Sequence, residues 1–248
     1  MDGTSPGGGS PTASPRPECA ARTSAGLSPF APEHTLVVWN RTAGRGPRRR
    51  AGIELARGLA RRGYTVRDAP ADGDRPGAVI AIGGDGTLLR IVGAVPPEVP
   101  LALFPAGTVN LLARTLGLPR TPSEFLELLE RPTLAPVRLG RADGRPFASV
   151  ASVGFDAEVV AAVPERLKRA LGPAAFVLQA LREVARRGVP ALEVRSDGEL
   201  VEGAWCGLIA GRGPFFAGPF EALPGVHPSD GELTALLLGG RRRVDLLR

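Results

Sequence analysis

The stretch Ala78–Arg90, "AVIAIGGDGTLLR", joins an apolar run to a glycine-rich turn and then to a helical pattern. The run "AVIAI" (78–82) is typical of a buried strand, and the spacing of apolar residues in "TLLRIVGAV" (87–95) predicts a helix. Between them, "GGDGT" (83–87) places three glycines and a threonine around one carboxylate, Asp85. Glycine allows positive φ and lets backbone N–H groups approach an anion closely. The stretch therefore predicts a strand–turn–helix unit suited to an anionic ligand.

The strand–helix alternation continues on both sides of this unit. Short apolar runs predict further strands, and amphipathic runs between them predict helices. Because helices of this length separate the strands, we expect βαβ units and a parallel sheet. Thr121 is the expected N-cap of one helix, with Pro122 at its first position and Glu124 completing a capping box. The predicted strands are 35–40, 64–69, 77–82 and 100–104, and the predicted helices are 47–62, 87–95, 111–118 and 121–130.

The pattern changes after Pro132, where strand-like runs surround Asp-Gly turns, as in antiparallel pairing. A helical stretch from Pro164 to Arg187 interrupts these runs, with a break expected at Gly172-Pro173. The pentapeptide "SDGEL" occurs twice, at 196–200 and 229–233, and the first copy reads as a hairpin turn. We predict an α/β fold with three parts: a disordered tail (1–32), a parallel-sheet nucleotide-binding domain (33–132) and a β-rich antiparallel second domain (133–248).

The composition of residues 1–32 and the positions of the two cysteines indicate where in the cell the protein is located. Residues 1–32 are rich in Gly, Ser and Pro and lack the apolar core of a signal peptide, so we favour a disordered extension over a transit or linker role. No apolar run reaches the ~20 residues of a membrane-spanning helix. Cys19 lies in the tail and Cys206 in a predicted strand, so they are not expected to pair. A cytoplasmic location, with or without peripheral contact with a membrane, is the prediction.

The chain is basic, with 31 Lys and Arg against 25 Asp and Glu and a formal net charge of +6. This charge indicates anionic partners, without specifying which; we do not expect nucleic acid among them. Two basic clusters stand out, "GPRRR" (46–50) and "GGRRRVDLLR" (239–248). The first opens a predicted helix, where cations oppose the macrodipole. That placement indicates contact with phosphate or with an anionic membrane, although a solvated surface is the interpretation we favour for each cluster.

A second glycine turn, "PAGTVN" (105–110), follows the next predicted strand. In an open parallel sheet, ligands bind beyond the carboxyl ends of the strands, and each helix there presents its N-terminus to negative charge. Thr87 and Thr108 add hydroxyl donors, so the pair of turns predicts a polyphosphate cradle. Neither a Walker lysine nor a G-x-G-x-x-G spacing is present. Asp85 would repel phosphates unless it binds a metal or a proton; alternatively it only caps its turn.

The sequence resembles the diacylglycerol kinase catalytic-domain family, which includes bacterial lipid kinases and sphingosine kinases. "GGDGT" alone is shared with NAD kinases and, loosely, with phosphofructokinases; the other elements make the resemblance more specific. The elements that carry it are Asn40 and Gly44 in "WNRTAGRG", "GGDGT" (83–87), "PAGTVNLLARTLG" (105–117), "SVGFDAEVV" (152–160) and "PGVHPSDGEL" (224–233).

This resemblance implies phosphorylation of a hydroxyl of diacylglycerol, or of a related lipid alcohol at a membrane surface, by ATP with Mg²⁺. Asp85 would orient the acceptor hydroxyl or take part in a water–metal network, Asp230 would bind a structural magnesium ion, and Asp156 is a weaker, structural candidate. The nucleotide would contact Asn40, Gly44, Gly83, Gly84, Gly86, Thr87, Gly107, Thr108 and Asn110.

Three departures from the family pattern keep other hypotheses open. Arg138 occupies a position where the family usually has an aspartate, and no asparagine precedes the "FFAGPF" segment (215–220). The sequence also ends at Arg248, before the family's late Asp-Gly-Glu motif. We therefore expect an incomplete second domain and a chain that alone is poorly soluble or weakly active. The alternatives are an inert nucleotide- or lipid-binding remnant and a NAD kinase-like enzyme.

Overall fold

A computed structural model describes residues 28–164, 167, 178–179, 182, 191–216 and 220–240. The predicted helix at 164–187, with its break at Gly172-Pro173, lies almost entirely outside these residues, as do the tail up to residue 27 and the basic cluster after residue 240. Within the described ranges, no helix combines the length and the apolar character needed to cross a membrane.

The amino-terminal half is built on a four-stranded parallel sheet, as the strand–helix alternation predicted. The strands are β1 (Thr35–Trp39), β2 (Thr65–Arg67), β3 (Ala78–Gly83) and β4 (Leu101–Pro105), in the order β2-β1-β3-β4. Every residue of β3 is buried, which agrees with its position between two neighbours and its unbroken apolar sequence. The order places the turns after β3 and β4 next to each other.

Four helices flank this sheet: α1 (Gly46–Arg61), α2 (Asp85–Val92), α3 (Leu111–Thr115) and α4 (Pro122–Glu130). α2 begins two residues earlier than predicted, so that Asp85 is its first residue. Thr121 is the N-cap of α4 and accepts a hydrogen bond from the N–H of Glu124. The Glu124 carboxylate accepts from the Thr121 hydroxyl at 2.7 Å, which differs from the reciprocal backbone bond of the expected capping box.

Two apolar cores cover the two faces of the sheet. One contains Leu55 and Leu59 of α1 with Phe125 of α4, and the other contains Leu88 of α2 with Leu112 of α3. The rings of Phe104 and Phe125 meet edge to face, with centroids 5.3 Å apart. Because both faces are sealed by helices, the exposed edge at the carboxyl ends of the strands is where a ligand has access.

The second part is antiparallel, as predicted, and confirms the fold class. In its largest described sheet, the strand of residues 205–211 lies between those of residues 234–239 and 150–154, and three two-stranded sheets lie outside it. The helix α5 (Phe155–Ala162) was not predicted. The strands are β5 (Gly140–Ala142), β6 (Arg145–Phe147), β7 (Val150–Gly154), β8 (Arg195–Ser196), β9 (Glu199–Leu200), β10 (Trp205–Gly211), β11 (Phe215–Phe216), β12 (Phe220–Glu221) and β13 (Thr234–Gly239).

Candidate functional site

The two glycine turns lie side by side at the carboxyl ends of β3 and β4. Gly83, the last residue of β3, is paired in register with Pro105, the last residue of β4. The N–H of Gly107 donates to the carbonyl oxygen of Gly83 at 3.0 Å. The "GGDGT" and "PAGTVN" segments therefore form one continuous structure and not two separate turns.

Contact between Gly84 and Gly107 is so close that a side chain has no room at Gly107 and little room at Gly84. A Cβ atom on Gly107 would lie 2.7 Å from Cα of Gly84 and 2.6 Å from Oδ1 of Asn110. A Cβ atom on Gly84 would lie 3.2 Å from Cα of Gly107. The close approach of the two backbones requires glycine at position 107 and favours it at position 84. It brings the main chains of both turns within reach of one small ligand.

Asp85 connects the helices that follow the two turns. Its Oδ2 accepts from the N–H of Leu111 at 2.9 Å, and its Oδ1 accepts from the N–H of Leu112 at 3.1 Å. A carboxylate in the first turn of α2 therefore caps the start of α3. Each oxygen retains a second lone pair, so the side chain can still receive another donor. The interpretation that Asp85 only caps its own turn is too narrow, because the N–H groups that it satisfies belong to the other turn.

Asn110 adopts the left-handed conformation, with φ of 57°, at the N-cap of α3. Its Nδ2 donates to the carbonyl oxygens of Gly107 at 2.7 Å and Pro105 at 3.2 Å. Its Oδ1 is buried and has no hydrogen-bond partner among the described residues. A buried acceptor without a partner is costly, and this one lies against the contact between Gly84 and Gly107.

Asn40 and Thr87 support the "GGDGT" turn from the side of β1. Nδ2 of Asn40 donates to the Thr87 hydroxyl at 3.2 Å, and Oδ1 of Asn40 accepts from the N–H and the hydroxyl of Thr42. Thr87 is only 2% exposed and its side chain fills the space beside Gly83, where a Cβ would lie 2.2 Å from the Thr87 hydroxyl. These contacts hold the turn on its buried side, so the side chain of Thr87 faces the protein interior.

Gly44 and Arg48 support the "PAGTVN" turn. Gly44 has φ of 70°, and a Cβ there would overlap the carbonyl oxygen of Ala106. Nη1 of Arg48 donates to the carbonyl oxygen of Thr108. Sequence reasoning did not identify Arg48 as an individual site residue. The available signal was its position in the basic cluster 46–50, at a helix N-terminus where cations oppose the macrodipole. The guanidinium offsets that unfavourable placement by binding carbonyl oxygens of the neighbouring turn.

The outer side of the paired turns is open. Gly86 and Thr108 are exposed, and a Cβ on Gly86 would contact nothing within 4 Å. No side chain caps the N-terminus of α2 at Gly84. The first N–H groups of a helix have no intrahelical partners and carry partial positive charge. The N-terminus of α2 has no side-chain cap, and the space around Gly86 is open. This part of the turn is therefore suited to bind an anionic group such as a phosphate.

The antiparallel part of the chain reaches this region through α3. The guanidinium of Arg114 lies over the ring of Phe215, 4.3 Å from its centroid. A Cβ on Gly213 would lie 3.2 Å from the hydroxyl of Thr115. The glycine-rich segment after β10 thus packs against the helix that Asp85 caps.

Asp230, the predicted ligand of a structural metal, forms no hydrogen bond with either turn among the described residues. Its Oδ2 accepts from the N–H of His227 at 2.7 Å, and its backbone carbonyl accepts from Arg212 at 3.0 Å. The described residues contain no group of three or more His, Cys, Asp or Glu side chains that could hold a metal ion. The Asp230 carboxylate is thus engaged within its own loop, and its backbone carbonyl is engaged by a cationic side chain. The side chain of Asp156 lies outside the described part of the chain.

Comparison with known proteins agrees with this geometry. Residues 34–142, which contain the parallel sheet and both turns, match the family model of the diacylglycerol kinase catalytic domain. The amino-terminal part of the chain is therefore similar to the diacylglycerol kinase catalytic domain. The resemblance drawn from Asn40, Gly44 and the two turns is thereby confirmed.

Individual relatives carry lipid kinase names. A protein of Pseudomonas fluorescens named "Probable lipid kinase YegS-like" is 37% identical over 163 residues, covering 64% of this chain and 54% of that protein. A protein of the same name from Pseudomonas aeruginosa is 34% identical over 77% of this chain and 64% of that protein. This chain thus spans less than two thirds of the length of these two curated relatives. A crystal structure of a diacylglycerol kinase from Bacillus anthracis matches with a TM-score of 0.62 and 25% identity, covering 84% of this chain and 76% of that one.

Proposed function

We propose that this chain binds ATP, with its Mg²⁺, at the paired turns and transfers the terminal phosphoryl group to a hydroxyl of diacylglycerol or a related lipid alcohol. The observation that supports the proposal is the contact between Gly84 and Gly107, which presents two turns and one uncapped helix start as a single surface. Phosphoryl transfer requires mainly positioning and charge neutralisation from a protein. Backbone N–H groups at Gly84 and Gly86 can supply both without a lysine.

The remaining residues of the site have supporting roles in this proposal. Asn40 and Thr87 hold the first turn, Gly44 allows the close approach of the second, and Asp85 keeps α3 in place. Thr108 is exposed, so its hydroxyl is a side-chain donor available to the nucleotide, whereas the unpartnered Oδ1 of Asn110 is buried. Asp85 acts first as a positioning residue; that it also orients the acceptor hydroxyl or joins a water–metal network stays a prediction.

The direct test is transfer of radiolabelled phosphate from ATP to lipid vesicles that contain diacylglycerol. We expect labelled lipid with the unaltered chain and with the control Asp72→Ala, because Asp72 is an exposed residue of the loop between β2 and β3 and belongs to neither turn. Asp85→Ala should give much less labelled lipid. Equal labelling by Asp85→Ala and the unaltered chain would contradict the proposal. ATP binding without transfer would favour an inert remnant, and labelling of NAD instead of lipid would favour a NAD kinase-like enzyme.

We further propose that the exposed arginines at the start of α1 contact the anionic membrane that holds the lipid. Arg49 and Arg50 are exposed, and their helix begins beside the paired turns, where Arg48 reaches Thr108. No acidic residue lies in the first turn of α1. Near an anionic surface, each arginine contributes about 1 kcal/mol. The positive end of α1 and the phosphate-binding edge would thus face the same membrane.

Vesicle sedimentation tests this contact. Replacing both Arg49 and Arg50 with glutamine should weaken binding to anionic vesicles by about 2 kcal/mol, or roughly thirtyfold, and leave weak binding to neutral vesicles unchanged. The matched control replaces Arg61, the last residue of the same helix, and its C-cap Arg62, which lie about 18 Å further along the helix axis. Equal losses for the two pairs would show that only overall charge matters and would contradict a specific membrane-facing end.

A further inference from the structure

The two copies of "SDGEL" adopt different conformations. The first copy forms the β8–β9 hairpin, with φ of 52° at Asp197 and 89° at Gly198. In the second copy, residues 229–233 lie outside any strand, and neither Asp230 nor Gly231 has positive φ. Asp-Gly with positive φ at both residues is the favoured hairpin turn. Since the five residues are identical, contacts from elsewhere in the chain must hold the second copy in its open form.

Arg212, which follows β10, supplies the central contact. Its Nη1 donates to the backbone carbonyl oxygens of Asp230 at 3.0 Å and Glu232 at 2.7 Å. The N–H of Arg212 donates to the carbonyl oxygen of Ser149 at 2.6 Å. This bond fixes Arg212 at the end of β10, the central strand of the antiparallel sheet. Its Nε is buried, so the base of the guanidinium lies within the protein. A cation that donates to two carbonyl oxygens makes stronger bonds than a neutral donor does.

The other side of the loop 227–232 is held by the segment that leads into β5. The hydroxyl of Ser229 donates to the carbonyl oxygen of Pro136 at 2.8 Å, and the N–H of Arg138 donates to the carbonyl oxygen of Pro228 at 2.8 Å. Arg212 lies just ahead of the "FFAGPF" segment, where the family's common asparagine is absent. This departure from the family pattern places a cationic side chain against the loop 227–232, which Arg138 contacts through its backbone N–H.

A magnesium ion at this loop would need the oxygen atoms that Arg212 already binds. Mg²⁺ requires oxygen ligands at about 2.1 Å in octahedral geometry. The carbonyl oxygens of Asp230 and Glu232 accept from the guanidinium, and the Asp230 carboxylate accepts from His227. Two cations that share the same oxygen ligands would repel each other strongly.

We propose that Arg212 is the built-in cation of the loop 227–232 and takes the place of the structural magnesium ion that the family resemblance implies. The guanidinium fixes the loop to the end of β10, so the fold needs no divalent metal at Asp230. The proposal concerns only this structural site, and the Mg²⁺ that accompanies ATP is a separate ion.

Thermal unfolding of the whole chain without nucleotide tests the proposal. The melting temperature of the unaltered chain should change by less than about 1 °C between excess EDTA and millimolar Mg²⁺, because a metal that does not bind the folded state does not stabilise it. Arg212→Gln should lower the melting temperature by at least about 3 °C, since two charge-assisted bonds are lost. The matched control Arg195→Gln removes an exposed arginine beside the first "SDGEL" copy and should have no such effect.

Two results would overturn the proposal. One is a saturable rise in the melting temperature of the unaltered chain with Mg²⁺, reversed by EDTA. The other is an Arg212→Gln chain as stable as the unaltered one. Should Arg212→Gln fail to fold, Mn²⁺ binding to the unaltered chain, followed by electron paramagnetic resonance without nucleotide, decides the matter. We expect no stoichiometric Mn²⁺ binding, and its presence would contradict the proposal whether or not the chain acts as a kinase.

Discussion

Replacing Gly107 with alanine is expected to reduce phosphoryl transfer about a hundredfold and to destabilise the fold by about 1–3 kcal/mol. The added Cβ would lie 2.7 Å from Cα of Gly84 and 2.6 Å from Oδ1 of Asn110. Both neighbours are fixed, because Gly84 directly follows the buried strand β3 and Asn110 is held by two backbone carbonyls. The turns must therefore separate, and a displacement of this size disrupts the joint surface for the phosphates. Transfer of radiolabelled phosphate to lipid and thermal unfolding measure the two effects, and calorimetric titration with ATP measures the accompanying loss of affinity.

The control for this substitution is Gly93→Ala, at the C-cap of α2. Gly93 has φ of −75°, and a Cβ there would meet its nearest neighbours at an ordinary 3.7 Å. Transfer and ATP affinity should stay close to those of the unaltered chain. If Gly107→Ala bound ATP as tightly as Gly93→Ala does, the contact between the turns would not matter for nucleotide binding.

Asp85→Ala is expected to lower the melting temperature by about 4–8 °C and to reduce phosphoryl transfer at least about tenfold. The change leaves the N–H groups of Leu111 and Leu112 without their acceptor. Loss of a cap with a charged acceptor costs about 2 kcal/mol, and each kcal/mol corresponds to about 2–4 °C in a chain of this size. The start of α3, which carries Asn110, would loosen at the same time. Thermal unfolding and lipid phosphorylation measure the two effects.

Asp85→Asn separates positioning from chemistry. Asparagine keeps one acceptor oxygen, so it should recover part of the melting temperature and, with it, part of the transfer activity. Parallel recovery of the two would support a positioning role. An Asp85→Asn chain with the melting temperature of the unaltered chain but no transfer would contradict that role and would show that the carboxylate takes part in the reaction.

The amino-terminal fold could be predicted from sequence because its signals are local. The β-branched run of β3, the glycines that follow it and the helical spacing after residue 87 each determine one element, and the right-handed crossover rule places both turns at one edge. Local patterns carry this information because strand, turn and helix each span few residues. The resemblance to the lipid kinase family, and not these local signals, supplied Asn40 and Asn110 as candidate nucleotide contacts.

The partners of individual side chains could not be predicted in the same way. Asp85 caps a helix that begins 26 residues later, and Arg48 binds a carbonyl oxygen 60 residues away. The two "SDGEL" copies show the reason most directly, because identical local sequences differ in structure once Arg212 contacts one of them. The sequence could assign the glycines to turns. It could not show that Gly84 lies close to Gly107, because that distance depends on how β3 pairs with β4.

The most direct measurement of the central claim is nuclear magnetic resonance of the chain labelled with nitrogen-15 at glycine, titrated with ATP and Mg²⁺. If the two turns jointly hold the polyphosphate, the amide signals of Gly84, Gly86 and Gly107 should shift together with one dissociation constant. Signals of glycines distant from the turns, such as Gly198 in the β8–β9 hairpin, should stay unchanged. Shifts confined to one turn, or absent from both while ATP binds elsewhere, would contradict the account.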